Sequence, residues 1–368
     1  MVQYTAIIIG AGPAGIGLSI ALKQFGITDT LILEKDNIGS SFESWPVTTR
    51  FITPSFTTNG FGMPDINAIT PDTSPGFTFK EEHINGQSYQ KYLKAIVDIN
   101  KVNIQTNTIV THVRPINNGY TLITSNGNFT SKYLFIATGD LNFPYKPFKF
   151  GQHYTEINDF KDIKSHNVTI IGANESGIDA AINLATSGKK VTIISKSTGF
   201  NGNVADPSVS LSPFTNHKFK KLLDDGYPIR LLINRTVTHV EKCSEGYKIH
   251  IKENTDVHIT EEIIQATGFK PTINPLIQSL FNTTYNKINL TNNDESTIFN
   301  NIFLVGSIVK HDTAILCYIY KFRTRFAVLA NLIANREGMP VSEEVINYYK
   351  QNQMYLEDYS CCEVNCSC

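Results

Sequence analysis

The chain has 368 residues, 41% of them hydrophobic and 18% charged, with a formal net charge of −1. That length suffices for about two domains that each bury a core, and a charge so close to zero excludes the basic footprint of a nucleic-acid or anionic-membrane binder. The apolar run at the N-terminus is too short to cross a bilayer and lacks the basic leader of an export signal, so a cytoplasmic location is expected.

In chain order, the first element is an apolar strand, Ala6-Ile7-Ile8-Ile9. It enters Gly10-Ala11-Gly12-Pro13-Ala14-Gly15 and leaves as a helix. Strand, Gly-x-Gly-x-x-Gly and helix together form the context of a dinucleotide-binding turn. Gly10 allows the tight turn, Gly12 lets the backbone approach a pyrophosphate, and Gly15 lets the helix pack on the strand. Pro13 and Ala14 open the helix, whose free N–H groups and positive end face the phosphates. Thr30-Leu31-Ile32-Leu33 reads as a second strand. Glu34, with Lys35 beside it, follows about 20 residues after the last glycine, where an acid holds ribose hydroxyls.

The segment from Asn37 to Thr53 is long for a connector and carries Phe42, Phe51 and the single Trp, Trp45. Either it passes along a bound ring system, where aromatic faces stack and hydroxyls bond polar edges, or it is a surface loop with one buried Trp. Residues 60–80 read as irregular loop and 88–97 as a helix. Strand-like pieces from Val102 to Ser131 then suggest a meander, with the backbone near Val110 placed to meet an adenine.

Tyr133-Leu134-Phe135-Ile136-Ala137-Thr138-Gly139 is a buried strand whose small terminal residues let main chain touch a ligand. The pattern then repeats. Asn167 to Ile171 leads into Gly172-Ala173-Asn174-Glu175-Ser176-Gly177 and a helix, then Lys190 to Ser195 as second strand, then Ala266-Thr267-Gly268. A signal duplicated at corresponding places is hard to obtain by accident. The copies differ where it matters chemically. Glu34 suits the unphosphorylated ribose of FAD, whereas Ser195-Lys196-Ser197 offers a cation and hydroxyls to the 2′-phosphate of NADPH. Asn174 replaces the middle glycine and restricts close approach of the second pyrophosphate.

These turns, the two Ala-Thr-Gly strands and the closing Ile302-Phe303-Leu304-Val305-Gly306 resemble the two-dinucleotide-binding-domain flavoproteins over about residues 1–335. The resemblance implies an α/β fold of two Rossmann-like FAD/NAD(P)-binding domains with β-meander insertions. It places FAD on a discontinuous domain of residues 1–160 and 289–345, NADPH on 161–288, and leaves 346–368 as a tail. Ala137 to Pro147 resembles the flavin-containing monooxygenases and the related flavoproteins found beside metal-resistance genes. That implies a hydride passed from NADPH to FAD and electrons passed on to O2 and a small substrate. The chain departs from that pattern in three places. His153 follows Gly151 too closely, with Lys149 where Phe is usual. Asn59 is the nearest match to the family's oxygen-side Asn, and Gly306-Ser307 stands where Gly-Asp usually meets the ribityl chain.

A second resemblance, to disulfide reductases of the bacillithiol-reductase type, rests on the first glycine turn and the segment from Gly306 to Arg323. Some of those enzymes carry Cys where this chain has Ala14. It implies an NADPH-dependent thiol/disulfide reductase, and a redox- or metal-sensing flavoprotein is a further alternative. Cys317 is expected on a helix capped by Asp312 or Thr313, either as a buried apolar residue or near the flavin. His311, just before it, is either a proton relay or a polar loop residue. Four of the six cysteines, Cys361, Cys362, Cys366 and Cys368, close the chain. Three readings stay open for them: a soft-metal ligand set, a mobile dithiol arm, or a loose end with incidental thiols. A small-molecule substrate and a homodimer complete the expectations.

Overall fold

The computed structural model describes residues 3–58, 60, 62–197, 208–252, 257–285, 287–312 and 314–359. It divides into two compact units. Among the described residues, the first comprises 3–43, 53–143 and 270–359; the second comprises 44–52 and 144–269.

The first unit is organised on strand Gln3–Ile9, which pairs in parallel with Thr30–Leu33 on one side and Gly127–Ile136 on the other. Ile104–Gln105 extends the sheet beyond Thr30–Leu33. Gly127–Ile136 is long enough to serve two partners. Its early residues pair antiparallel with Gly119–Thr124, which pairs with Val110–Ile116, and its last residues pair in parallel with Ile302–Leu304. Ala6, Ile7 and Ile8 are fully buried, as a parallel strand covered on both faces must be. Helix Pro13–Gln24 begins on a proline and packs on helix Phe326–Arg336. A Cβ on Gly17 would lie 2.2 Å from the Phe326 ring, so the small residue makes that approach.

The second unit repeats the plan. Its parallel sheet runs Ile229–Ile233, Lys190–Ser195, Asn167–Ile171, Glu262–Gln265, Gln152–His153. Helix Glu175–Thr186 follows strand Asn167–Ile171 after the glycine turn, and an antiparallel sheet of Val237–Cys243, Gly246–Ile251 and Val257–Thr260 adjoins in sequence.

Two expectations are corrected by local pairing. The sequence reading puts the unit borders near 160 and 289, but Gln152–His153 is an edge strand of the second sheet, and Pro144 bridges Phe269, so the borders move to 143/144 and 269/270. The helix expected behind Asp312 is instead a hairpin. Lys310 bridges Ile315, His311 N–H donates to Ala314 O at 2.8 Å, and Leu316 N–H donates to Val309 O at 3.1 Å. Burial of Val309, Ala314 and Leu316 favours this pairing over winding, and the helix starts only at Ile319, beyond Cys317. Thr313 lies outside the described residues.

Candidate functional site

The two glycine turns are built alike, each within its own unit. In the first, Gly10 N–H donates to Leu33 O and Ala137 N–H to Ile9 O, both at 2.9 Å; in the second, Gly172 N–H donates to Ile194 O and Ala266 N–H to Ile171 O, again at 2.9 Å. Gly10 and Gly172 have φ of +113° and +117°, and a Cβ on either would lie 2.5 or 2.2 Å from the carbonyl oxygen of Ala137 or Ala266. Only glycine satisfies both conditions. Gly15 and Gly177 bring the following helix against the Gly10 and Gly172 carbonyls.

Gly12 serves differently. Its φ of −86° suits any residue, and a Cβ there would meet nothing within 4 Å. What glycine leaves is room in front of a twelve-residue helix whose first turn has no side-chain cap. Asn174 adopts nearly the same backbone, with φ −93° and ψ −170°, and also caps nothing, while Ser176 follows in the first turn. Helix N-termini without a side-chain cap fit a dinucleotide pyrophosphate in both units.

Around the first turn the sequence-predicted residues converge. Glu34, 6% exposed, accepts from Ala11 N–H at 2.7 Å and Asp36 N–H at 2.9 Å, so the acid also fixes the turn. Lys35 reaches Asn142 Oδ1 at 3.0 Å. Thr108 N–H donates to Glu34 O at 2.8 Å, which brings the buried Val110 toward the acid. The Thr138 hydroxyl accepts from Asn274 Nδ2 at 3.0 Å, and Gly139 has φ +62° with open space at its Cβ position. A Cβ on Gly306 would lie 2.9 Å from that of Ala14, so Gly306-Ser307 crosses the start of the helix.

The aromatic segment is divided. Phe42 packs on Tyr89 in the first unit with ring centroids 4.7 Å apart, whereas Trp45 packs on Phe51 in the second at 5.1 Å. Asn59 and the four tail cysteines lie outside the described residues. Cys243 and Cys317 are half-buried and form no disulfide. His311 is anchored, its Nε2 2.7 Å from Asp294 Oδ1. Among the described residues no His/Cys/Asp/Glu group is placed to hold a metal ion, and no helix is long and apolar enough to cross a membrane.

In the second unit, Ser195 ends its strand with its hydroxyl accepting from Ser197 N–H at 3.3 Å and Lys196 exposed beside it. Sequence reasoning missed Arg235. Parallel pairing of Ile233 with Ser195 places it there, its N–H donating to Ser195 O at 2.8 Å. It also missed Asp140, signalled only by following Ala-Thr-Gly. Burial holds its carboxyl above the ordinary range, opposed by nearby N–H groups and Lys310. Thr267 donates to the Tyr145 carbonyl, and Gly268 O accepts from Tyr145 N–H and from His153 Nε2, the latter at 3.1 Å.

His153 is 1% exposed, and its Nδ1 accepts from Thr155. Burial depresses its pKa from 6.5, and burial with nearby Arg230 does the same for His258. The unfolded chain therefore takes up protons below about pH 6.5 that the folded chain refuses, and stability falls on acidification. Urea unfolding should show a lower midpoint at pH 5.5 than at pH 7.5, and His153→Gln should shrink that difference.

Two parallel sheets, each with a glycine turn before its first helix and a small-residue strand end laid against it, define a two-dinucleotide redox enzyme. The chain belongs to the pyridine nucleotide-disulphide oxidoreductase family, whose model matches residues 7–306. Members use FAD and NAD(P)H, and the chain is a flavin-linked oxidoreductase. It is 27% identical over 275 residues to the bacilliredoxin reductase Bdr of Bacillus subtilis (strain 168), spanning 74% of this chain and 78% of the relative. It is 29% identical over 211 residues to the probable indole-3-pyruvate monooxygenase YUCCA10 of Arabidopsis thaliana, 52% of each chain. Among solved structures, the bacillithiol disulfide reductase Bdr (YpdA) of Staphylococcus aureus matches with a TM-score of 0.75 at 22% identity, covering 92% of this chain and 100% of that one. The flavin-containing monooxygenase of Stenotrophomonas maltophilia matches at 0.72 and 13% identity, covering 91% and 99%. At those identities the structural likeness is one of fold.

Proposed function

We propose that the chain is an FAD-dependent, NADPH-oxidising reductase whose acceptor is a small disulfide. The observation that carries this reading is the unequal reach of the sequence likenesses: the Bdr match spans 74% of the chain, the YUCCA10 match 52%. His153 adds support, because the histidine nearest the monooxygenase fingerprint is engaged by Gly268 and Thr155 as a clasp between strand ends.

Gly10, Gly12, Pro13, Ala14 and Gly15 would hold the FAD pyrophosphate, Glu34 and Lys35 its ribose, Val110 its adenine, and Ala137 to Gly139 with Gly306-Ser307 its flavin end. Bound FAD supplies the two-electron chemistry that side chains lack. Gly172, Asn174, Ser176 and Gly177 would hold the NADPH pyrophosphate, with Ala266-Thr267-Gly268 at the strand end behind it. Ser195, Lys196 and Arg235 would pair with its 2′-phosphate. Replacing Lys196 and Arg235 together by Ala should raise the KM for NADPH by about tenfold or more and leave that for NADH unchanged, since charge-assisted hydrogen bonds contribute about 1.5–3 kcal/mol each. Steady-state kinetics with both nucleotides check this.

The reductase reading is tested without air. With bis(2-hydroxyethyl) disulfide, each NADPH consumed should yield NADP⁺ and two thiols. Turnover that needs O2 and places one oxygen atom in a product would replace this reading with the monooxygenase one.

A further inference from the structure

Three buried side chains, Asp294, Arg325 and Tyr359, fix the ring of His311. Its Nε2 lies 2.7 Å from Asp294 Oδ1, and its face stacks on the Tyr359 ring with centroids 4.1 Å apart. The carboxylate is held in turn: Arg325 Nε donates to Oδ2 at 2.8 Å and the Tyr359 hydroxyl to Oδ1 at 2.7 Å. A carboxylate only accepts, so Nε2 carries the hydrogen of its bond, and in the neutral ring Nδ1 is left as an acceptor. That is close support for a residue on a hairpin.

The ring, 13% exposed, lines a polar cleft of about 300 Å³ within the first unit, together with Lys287, Lys310, Asp312 and Tyr359. The lining sets two lysines against one acid. Asp312 pairs with Lys287, but its side chain is 89% exposed, and solvent screening leaves such a pair weak enough for an entering anion to displace. Among the described residues Lys310 is in no ion pair; it acts at longer range on the buried Asp140. Behind the ring, Asp294 is already balanced by Arg325. The cleft therefore has positive charge to spare. Two ammonium groups, acting as point charges, match the double charge of a phosphate monoester better than the single charge of a carboxylate. The fixed acceptor beside them calls for an O–H.

We propose that this cleft binds a small phosphate monoester carrying a hydroxyl near its phosphate, with Lys287 and Lys310 on the phosphate oxygens and His311 Nδ1 accepting from the hydroxyl. A volume of about 300 Å³ is at the lower end for ligand sites, which limits the ligand to a metabolite of few carbons. Asp294 and Tyr359 are positioning residues: they hold the imidazole before the ligand arrives, so less freedom is lost on binding. The site uses none of the residues assigned to FAD or NADPH and does not depend on the electron acceptor.

The test is isothermal titration calorimetry on the full-length, flavin-loaded protein at pH 8, where phosphate monoesters carry close to two charges. NADP⁺ in excess keeps the probes off the second glycine turn. Glycerol 3-phosphate should bind. Methyl phosphate, which lacks the hydroxyl, and D-glycerate, which has a single charge, should each bind about tenfold more weakly, and glycerol should give no heat. Lys287→Gln with Lys310→Gln should weaken both phosphates by about 10–100-fold. His311→Phe keeps a ring against Tyr359; it should bring glycerol 3-phosphate down to the affinity of methyl phosphate and leave methyl phosphate unchanged. Urea midpoints check that each variant is folded. No heat with glycerol 3-phosphate, binding that the lysine changes leave intact, or D-glycerate bound as tightly as glycerol 3-phosphate would overturn the proposal. Equal weakening of both phosphates in a folded His311→Phe protein would also overturn it, since the ring would then serve the fold alone.

Discussion

Gly10→Ala should cost the protein about 2–5 kcal/mol and its flavin, whereas Gly12→Asn should cost the flavin alone. At Gly10 two penalties add. An L-residue held at φ +113° pays about 1–2 kcal/mol. A methyl group 2.5 Å from the Ala137 carbonyl oxygen forces strands apart for a further 1–3 kcal/mol or so. At Gly12 neither applies. The backbone angles are those Asn174 already adopts in the second turn, and no atom lies within 4 Å of the added Cβ. The side chain fills the space left for the pyrophosphate, and affinity should fall by about 10–100-fold, as losing one charge-assisted hydrogen bond does. Urea unfolding and visible absorbance after purification separate the two variants. Equal stability of both, or equal flavin content in Gly12→Asn and the parent, would show that the turn has been misread.

Asp294→Ala should destabilise the first unit by about 3–5 kcal/mol, because it leaves the buried Arg325 guanidinium uncompensated. The same carboxylate accepts from Tyr359 and holds His311, so the segment up to Tyr359 should become open to proteolysis in advance of the rest. Asp294 also has φ +59°, a conformation that Asn tolerates better than Ala. Asp294→Asn should therefore fall between parent and Ala in urea midpoint.

What the sequence made legible was local. A positive φ at Gly10, a close approach at Gly15 and a small-residue strand end at Ala137 act over a few residues, and their spacing shows in the chain. The repeat added a second, independent copy of the same geometry. What it hid depended on pairing between distant segments. Arg235 reaches Ser195 only because Ile229–Ile233 lies parallel to Lys190–Ser195. Asp294, His311, Arg325 and Tyr359 meet from four places in the chain, and no periodicity links them. The segment around Trp45 reads as one loop, yet Phe42 and Trp45 pack in different units, because Val47 N–H and Thr49 are held by Asn158 and Tyr154. The hairpin at Lys310–Ile315 escaped notice because Asp-Thr is also a good helix cap, and burial of the flanking apolar residues decided the outcome.

The most direct measurement is an anaerobic titration of the flavin-loaded protein with NADPH. The visible flavin band should bleach with one equivalent per chain and return when a disulfide is added in the absence of air. A protein that takes up no flavin, or one whose flavin band NADPH leaves unchanged, contradicts the account.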